Sequence, residues 1–240
     1  MDKIGYFRFV EGFEKPILAL FKAIEEEQHR WSDISNSLVV LPEAFNIGGQ
    51  YPDKPLGSEL PAGEILENLR RELAQPLGIA FIAGIIDGRR NSAYWVDADG
   101  QQLMCHKRGD DLTGAYDPYL QNPDPCNPIS FDGGCVGALI CMDATDDNAD
   151  IQQRRNDLLT RLKAGKGRKI VCVPAQFRVN RPDPLKFRPV IPDYWYVVAD
   201  GVYNATSFVA RAEKSTSLLQ PHLIEATAPK RNEVKLWPLS

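Results

Sequence analysis

The sequence is poor in the residues that build metal centres and disulfide frameworks. It has three histidines, and its five cysteines are widely spaced, with no C-x-x-C pair. Structural zinc sites need closely spaced cysteine and histidine ligands, and disulfide frameworks usually need an even number of cysteines. We therefore expect reduced thiols, one of them a candidate reactive group, and no metal or other cofactor. The cysteines are Cys105, Cys126, Cys135, Cys141 and Cys172.

Long apolar runs and an excess of basic charge are also missing. No window approaches the roughly 18 consecutive apolar residues that a membrane span requires, and the start, MDKIGYFRFV, lacks the layout of a signal peptide. The 28 basic and 32 acidic residues leave a net charge of −4, which argues against a general nucleic-acid binder. We expect a cytoplasmic protein with no membrane or nucleic-acid partner.

The pattern of apolar residues predicts an α/β protein. It shows no internal repeat and no linker, so we expect a single domain over residues 1–240. Crossovers and hairpins alternate along the chain, which indicates mixed sheets with helices packed outside them. A long polar loop is expected at 108–128, and the last 25 residues are weakly patterned. The predicted strands are 3–10, 38–41, 79–86, 92–98, 101–107, 129–131, 135–141, 170–174, 194–199 and 206–212, and the predicted helices are 14–31, 65–73 and 149–164.

Three of these strands end in side chains that can take part in catalysis. LVVL is followed by Pro42-Glu43, QQLMCHK ends in Lys107, and GALI is followed by Cys141. Ligands of open α/β folds bind beyond the carboxyl ends of strands. If the three strands lie side by side, a carboxylate, an amine and a thiol converge. Taken singly, each residue has an ordinary structural interpretation, as a turn glutamate, a surface lysine and a core cysteine.

Three blocks of the chain, LVVLPEAF, FIAGIIDGRRNSAYWVDADGQQLMCHK and GALICMD, resemble in order and spacing the signature blocks of the nitrilase superfamily of carbon–nitrogen hydrolases. The resemblance implies a four-layer α-β-β-α sandwich. It also implies a catalytic triad of Glu43, Lys107 and Cys141. A small-molecule amide or nitrile substrate, and a homodimer or higher homo-oligomer, are further expectations from the family.

The chemistry of such a triad suits these residue types. A free thiol is mostly protonated at neutral pH and needs a base to become a nucleophile. Glu43 would accept the proton of Cys141, while Lys107 and the backbone N–H of Met142 would stabilise the developing oxyanion. Attack on an amide, carbamoyl or nitrile carbon would then lead to a thioester that water cleaves.

The chain departs from the family pattern in three places. The family often places a second glutamate after the lysine, but no glutamate occurs between Glu72 and Glu213. We therefore expect Asp117 to take that place as an accessory residue. The segment after the cysteine motif reads ATDDNAD, where the family commonly has an Arg-Phe-Pro-Glu-like sequence. The C-terminal part looks shortened.

Several alternatives stay open at this point. Arg178 and Arg188, in FRVNRPDPLKFRP, could bind a substrate carboxylate by paired hydrogen bonds, or could belong to a solvated basic loop. The protein could also be a nitrilase-like binding or regulatory protein without turnover. A Cys–His hydrolase is disfavoured, because His106 and Lys107 are neighbours and so point to opposite faces of an extended strand. Cys105 shares a strand face with Lys107 and could lie near the site, whereas Cys172 is expected in the core.

Overall fold

The computed structural model describes residues 1–8, 15–47, 61–87, 90–108, 126–145, 149–175, 191, 193–200, 207–212, 219–224 and 232–239. Its strands are β1 (Lys3–Arg8), β2 (Ser37–Val40), β3 (Ala80–Asp87), β4 (Arg90–Val96), β5 (Gln101–His106), β6 (Ile129–Phe131), β7 (Gly134–Ala138), β8 (Arg168–Ala175), β9 (Tyr194–Asp200), β10 (Phe208–Ala212), β11 (Leu219–Ile224) and β12 (Glu233–Pro238). Its helices are α1 (Pro16–Gln28), α2 (Ala62–Leu69), α3 (Gln75–Leu77) and α4 (Ala149–Ala164), with a π-helical turn at Arg70–Ala74 joining α2 to α3. Short 3₁₀ turns are formed by Phe45–Ile47 and Cys141–Ala144.

These strands form two mixed six-stranded sheets. The order in the first sheet is β12-β1-β2-β3-β4-β5, and the order in the second is β11-β10-β9-β8-β7-β6. Parallel pairs occupy the middle of each sheet, β1-β2-β3 in the first and β7-β8-β9 in the second, and antiparallel pairs flank them. The prediction of mixed sheets is therefore confirmed.

The sheets lie face to face, and helices cover their outer faces. Along β2, Leu38 and Val40 belong to the core between the sheets. Val39 belongs to a second core, formed with residues of α1 and α2. This alternation follows from the two-residue period of a strand. On the far side, α4 packs so closely on β7 that a Cβ at Gly137 would lie 2.6 Å from Leu158 Cδ1. The layers are thus α-β-β-α, as the resemblance implied.

The C-terminal region contains more regular structure than its sequence pattern predicts. Beyond residue 216 the described residues include β11 and β12, and β12 returns to the first sheet to pair antiparallel with β1. Gly5 of β1 faces Leu236, and a Cβ at Gly5 would overlap the carbonyl oxygen of Lys235. Val234 and Leu236 are buried while their neighbours are less so. The EVKLWP segment therefore does carry a strand period, although a short one.

Helix α1 differs from its prediction in one buried charge. The sequence pattern places Glu25 to Glu27 on the outer face, but Glu27 is buried. Its carboxylate accepts hydrogen bonds from Trp31 Nε1 at 3.0 Å and from the backbone N–H of Leu236 at 3.0 Å. Glu27 thus joins α1 to β12. None of the described helices is long and apolar enough to cross a membrane.

Candidate active site

Glu43 lies in the turn after β2, where the first sheet meets the second. Its backbone N–H donates to the carbonyl oxygen of Ala175, at the end of β8, over 3.3 Å. Gly84 of β3 passes directly beneath this turn. A Cβ at Gly84 would lie 2.7 Å from Glu43 Cα and 2.9 Å from Pro174 Cβ. Only a glycine allows this close approach, which holds the glutamate between the two sheets.

The Glu43 carboxylate binds the ammonium group of Lys107, the first residue after β5. Lys107 Nζ lies 2.7 Å from Glu43 Oε1, and the two side chains are only 5% and 0% exposed. A charge withdrawn from water is strongly destabilising unless it is paired and hydrogen-bonded. The pair therefore depends on both partners, and it brings together two members of the predicted triad.

Asn91 is a third buried member of this group, and the sequence analysis missed it. Its side-chain Nδ2 donates to Glu43 Oε1, the same oxygen that binds Lys107. Its backbone carbonyl accepts the backbone N–H of Lys107 at 2.7 Å. One sequence signal could have indicated this role. Asn91 has the same strand parity as Ala93 and Trp95, which both face the core between the sheets, so a polar amide is expected on an otherwise apolar face.

Cys141 starts the sharp 3₁₀ turn that follows β7 and is buried. The N–H of Asp143 closes the turn on the carbonyl oxygen of Ile140 at 2.9 Å. Cys141 has a φ of 48°, which lies in the left-handed region that residues other than glycine rarely adopt. Ala44, next to Glu43, has a φ of 59°. Such conformations cost on the order of 1–3 kcal/mol and cluster at functional sites, so both turns carry backbone strain.

Asp143 ties the cysteine turn to the end of β5. Its two carboxylate oxygens accept the backbone N–H of Arg108 at 3.1 and 3.0 Å, and Arg154 Nη1 lies 3.8 Å from Oδ2. Arg108 directly follows Lys107, and Asp143 is two residues beyond Cys141. This partly buried contact thus joins the turn that carries Cys141 to the strand end that carries Lys107. Asp143 belongs to the GALICMD block, but its sequence pattern alone predicts no role for it.

Two of the other buried cysteines have thiol pKa values raised well above their usual range. Burial raises the pKa of Cys172 well above its usual range, and the residue lies in the core between the sheets, as predicted. A hydrogen bond with Cys126, together with burial, likewise raises the pKa of Cys105. Cys105 Sγ lies 3.4 Å from the carbonyl oxygen of Ala138, near the end of β7.

The three functional strands do not lie side by side, which corrects the expectation drawn from open α/β folds. In the first sheet β3 and β4 separate β2 from β5, and β7 belongs to the second sheet. Glu43 and Lys107 reach each other across β3 and β4 of the first sheet, and the face-to-face packing of the two sheets brings the Cys141 turn to the end of β5.

Of the other residues predicted to take part in the site, the structure describes only some. Met142 lies in the Cys141 turn, and its role as an oxyanion donor stays a prediction. His106 Nδ1 lies 2.6 Å from Ser92 Oγ. Asp117, Arg178 and Arg188 fall outside the described residues. Within the described part of the chain, no group of three or more His, Cys, Asp or Glu side chains could hold a metal ion.

Comparison with known proteins identifies the class. The carbon-nitrogen hydrolase family model matches residues 19–156, more than half of the chain. The chain therefore belongs to the carbon-nitrogen hydrolase family, and the resemblance to the nitrilase superfamily is confirmed. A search among the curated proteins finds no match.

Solved structures of an amidase share the fold. An amidase from Nesterenkonia sp. is 18% identical with a TM-score of 0.70, over 99% of this chain and 89% of that one. A variant of the Nesterenkonia sp. AN1 amidase with its cysteine changed to alanine, in complex with butyramide, is 16% identical with a TM-score of 0.69, over 99% and 90%. A glutamate-to-leucine variant, which carries the acetamide moiety of fluoroacetamide on its active-site cysteine, has the same identity, TM-score and coverage.

Proposed function

We propose that this carbon–nitrogen hydrolase cleaves the amide bond of a small molecule through a thioester on Cys141. The observation that carries the proposal is the buried Glu43–Lys107 ion pair, which Arg108 and Asp143 attach to the turn that begins at Cys141. A carboxylate, an ammonium group and a thiol are the acid–base, electrophilic and nucleophilic groups that acyl transfer requires.

In the proposed reaction, Glu43 accepts the thiol proton and the Cys141 thiolate attacks the amide carbon. Lys107 and the N–H of Met142 donate hydrogen bonds to the oxyanion that forms. The carbon–nitrogen bond then breaks, and the proton held by Glu43 passes to the leaving nitrogen, which departs as ammonia or an amine. Glu43 next takes a proton from water as the resulting hydroxide attacks the thioester. The carbon–sulfur bond then breaks, the proton on Glu43 passes to the departing sulfur, and the carboxylic acid and the free thiol are regenerated.

We propose an amide, rather than a nitrile, as the substrate class. The proposal is supported by a protein of the same fold, a Nesterenkonia sp. AN1 amidase variant in complex with butyramide. Asp117 is proposed as the accessory carboxylate beside Lys107. Arg178 and Arg188 are proposed to bind a carboxylate in substrates that carry one, such as carbamoyl amino acids or ω-amides. A homo-oligomer and a cytoplasmic location complete the proposal.

A panel of amides, carbamoyl compounds and nitriles, assayed for ammonia release, tests the reaction. We expect turnover with at least one amide and none with Cys141→Ala. Cys172→Ala, which changes a thiol in the core, is the matched control and should keep its chemistry. Modification of Cys141 by iodoacetamide without turnover on any member of the panel would instead favour a binding or regulatory protein.

A further inference from the structure

We propose that Asn91 is a positioning residue for the reaction. It holds Glu43 and Lys107 in register and directs proton transfer to the Oε2 atom of Glu43. The inference rests on the proposed function, because it assigns Glu43 as the base. Asn91 would act through Glu43 and Lys107 without touching the substrate.

Asn91 binds both partners of the ion pair, one with its side chain and one with its main chain. Its Nδ2 donates to Glu43 Oε1, and its carbonyl oxygen accepts the backbone N–H of Lys107 at 2.7 Å. Lys107 Nζ in turn binds Glu43 Oε1 at 2.7 Å. These three hydrogen bonds close a ring, so the ammonium and the carboxylate cannot shift independently of β4.

The amide of Asn91 has a fixed orientation. Turning it over would place its oxygen against the carboxylate of Glu43, and two acceptors would repel each other. In the observed orientation, Oδ1 is buried with no hydrogen-bond partner among the described residues. A buried acceptor without a partner lowers stability. The amide is therefore poorly explained as a stabilising group and well explained as a donor to Glu43.

Two donors on one oxygen make the two carboxylate oxygens of Glu43 unequal. Oε1 accepts hydrogen bonds from a cation and from an amide, and both draw electron density and reduce its basicity. Proton uptake from Cys141 is then favoured at Oε2. Without Asn91, the carboxylate could rotate about its last bond and offer either oxygen, so the productive geometry would be less populated.

The test compares Asn91→Ala and Asn91→Asp with Ser92→Ala. Ser92 is the next residue of β4, is equally buried and binds His106 on the other strand face. The readouts are kcat and KM on the amide found by the panel, the rate of Cys141 modification by iodoacetamide, and the pH profile of both.

Asn91→Ala should lower kcat by roughly 10²-fold, with a much smaller change in KM and a folded thermal transition. Ser92→Ala should stay within about twofold of the wild type, since it removes one neutral hydrogen bond on the other face of β4.

Asn91→Asp supplies a pH signature that a merely structural role would not produce. The charged groups that the described contacts connect to the new carboxyl are Glu43 and Lys107, and beyond them Asp143 with its partner Arg154. Two adjacent carboxyls share one proton, which is lost at higher pH than from an isolated carboxyl. While it is held, the protonated group can donate to Oε1 as the amide does. The Asn91→Asp variant should therefore keep most of its activity at low pH and lose activity as the pH rises. The wild type should show no such loss over the same pH range.

Equal losses in Asn91→Ala and Ser92→Ala, a wild-type kcat in Asn91→Ala, or a pH profile of Asn91→Asp parallel to that of the wild type would overturn the inference. Unfolding of both Asn91 variants would also overturn it, by making the residue structural. A wild-type protein that neither hydrolyses an amide nor reacts at Cys141 would instead overturn the proposed function first.

Discussion

Two ion pairs of almost equal length lie in different surroundings. Lys107 Nζ and Glu43 Oε1 are 2.7 Å apart, and Arg70 Nη2 and Glu67 Oε1 are 2.6 Å apart. The side chains of the first pair are 5% and 0% exposed, whereas those of the second are 25% and 46% exposed. The first joins two strand ends distant in the sequence, and the second joins neighbouring turns of one helical segment.

This contrast separates stability from function. Water and salt screen the exposed pair, so it contributes little to folding. The buried pair loses the hydration of both charges, and apolar residues of similar size would stabilise such a position at least as well. We therefore interpret the buried pair, which accompanies the strained backbone at Ala44 and Cys141, as the catalytic pair of the proposed reaction.

Among changes to the two ion pairs, the largest expected effect is the loss of turnover in Glu43→Gln. The glutamine keeps the size of the side chain and one carbonyl acceptor but cannot take the thiol proton. We expect kcat to fall by roughly 10²–10⁴-fold with KM within a small factor, measured well below the melting temperature of the variant. The thermal melt is the control. A kcat near that of the wild type would show that Glu43 is only a turn residue at the end of a strand.

A double-substitution cycle distinguishes the two pairs by stability. Glu43→Gln and Lys107→Met should each cost about 3–5 kcal/mol, because each leaves a buried group without its partner. The double variant should recover most of that loss and remain inactive. The same cycle on Glu67 and Arg70 should give no measurable coupling. Chemical unfolding curves measure both, and additive losses at Glu43 and Lys107 would contradict a tightly coupled buried pair.

A smaller effect is expected in the selectivity of thiol labelling among the buried cysteines. The pKa of Cys172 is raised by burial, and that of Cys105 by its hydrogen bond with Cys126 and by burial. A raised thiol pKa means that the reactive thiolate forms only at higher pH. At pH 7–8, iodoacetamide should modify Cys141 in the folded protein and leave Cys105 and Cys172 intact, as peptide mass spectrometry would show. Faster labelling of either core thiol would contradict this burial.

The smallest effect is expected for Glu67→Gln. The side-chain hydrogen bond from Arg70 lowers the pKa of Glu67, so any stabilisation is present above the ordinary glutamate pKa and disappears as the pH falls. Because both side chains are exposed, the melts of the variant and the wild type should coincide at neutral pH. A clear loss of stability at neutral pH would show that the exposed Glu67–Arg70 pair does contribute to folding.

The local patterns of the sequence predict most elements and the identities of Glu43, Lys107 and Cys141 as candidates. Helix α4 begins and ends where predicted, at 149 and 164, and the hairpin of β4 and β5 closes through Asp97 and Gly100 at 3.0 Å. These features depend on residues that are close in the chain. The spacing of apolar residues predicts the helix, and the turn residues predict the hairpin.

The parts that the sequence does not predict depend on contacts between segments that are distant in the chain. Asn91 acquires its role only because the first sheet brings the start of β4 beside the turn after β2, across β3, and Asp143 only because the turn after β7 reaches the end of β5. Glu27 is buried only because β12 returns beside β1, across more than 200 residues. Such contacts leave no local period, so a buried polar residue in an otherwise apolar strand is the best available signal.

The most direct test of the central claim is ammonia release from the amide panel by the wild type and by Cys141→Ala, with Cys172→Ala as control. We expect turnover in the wild type and in the control, and a loss of several orders of magnitude in Cys141→Ala, since the covalent route through the thioester disappears. Retention of more than roughly a hundredth of the wild-type rate in Cys141→Ala would contradict the assignment of the nucleophile.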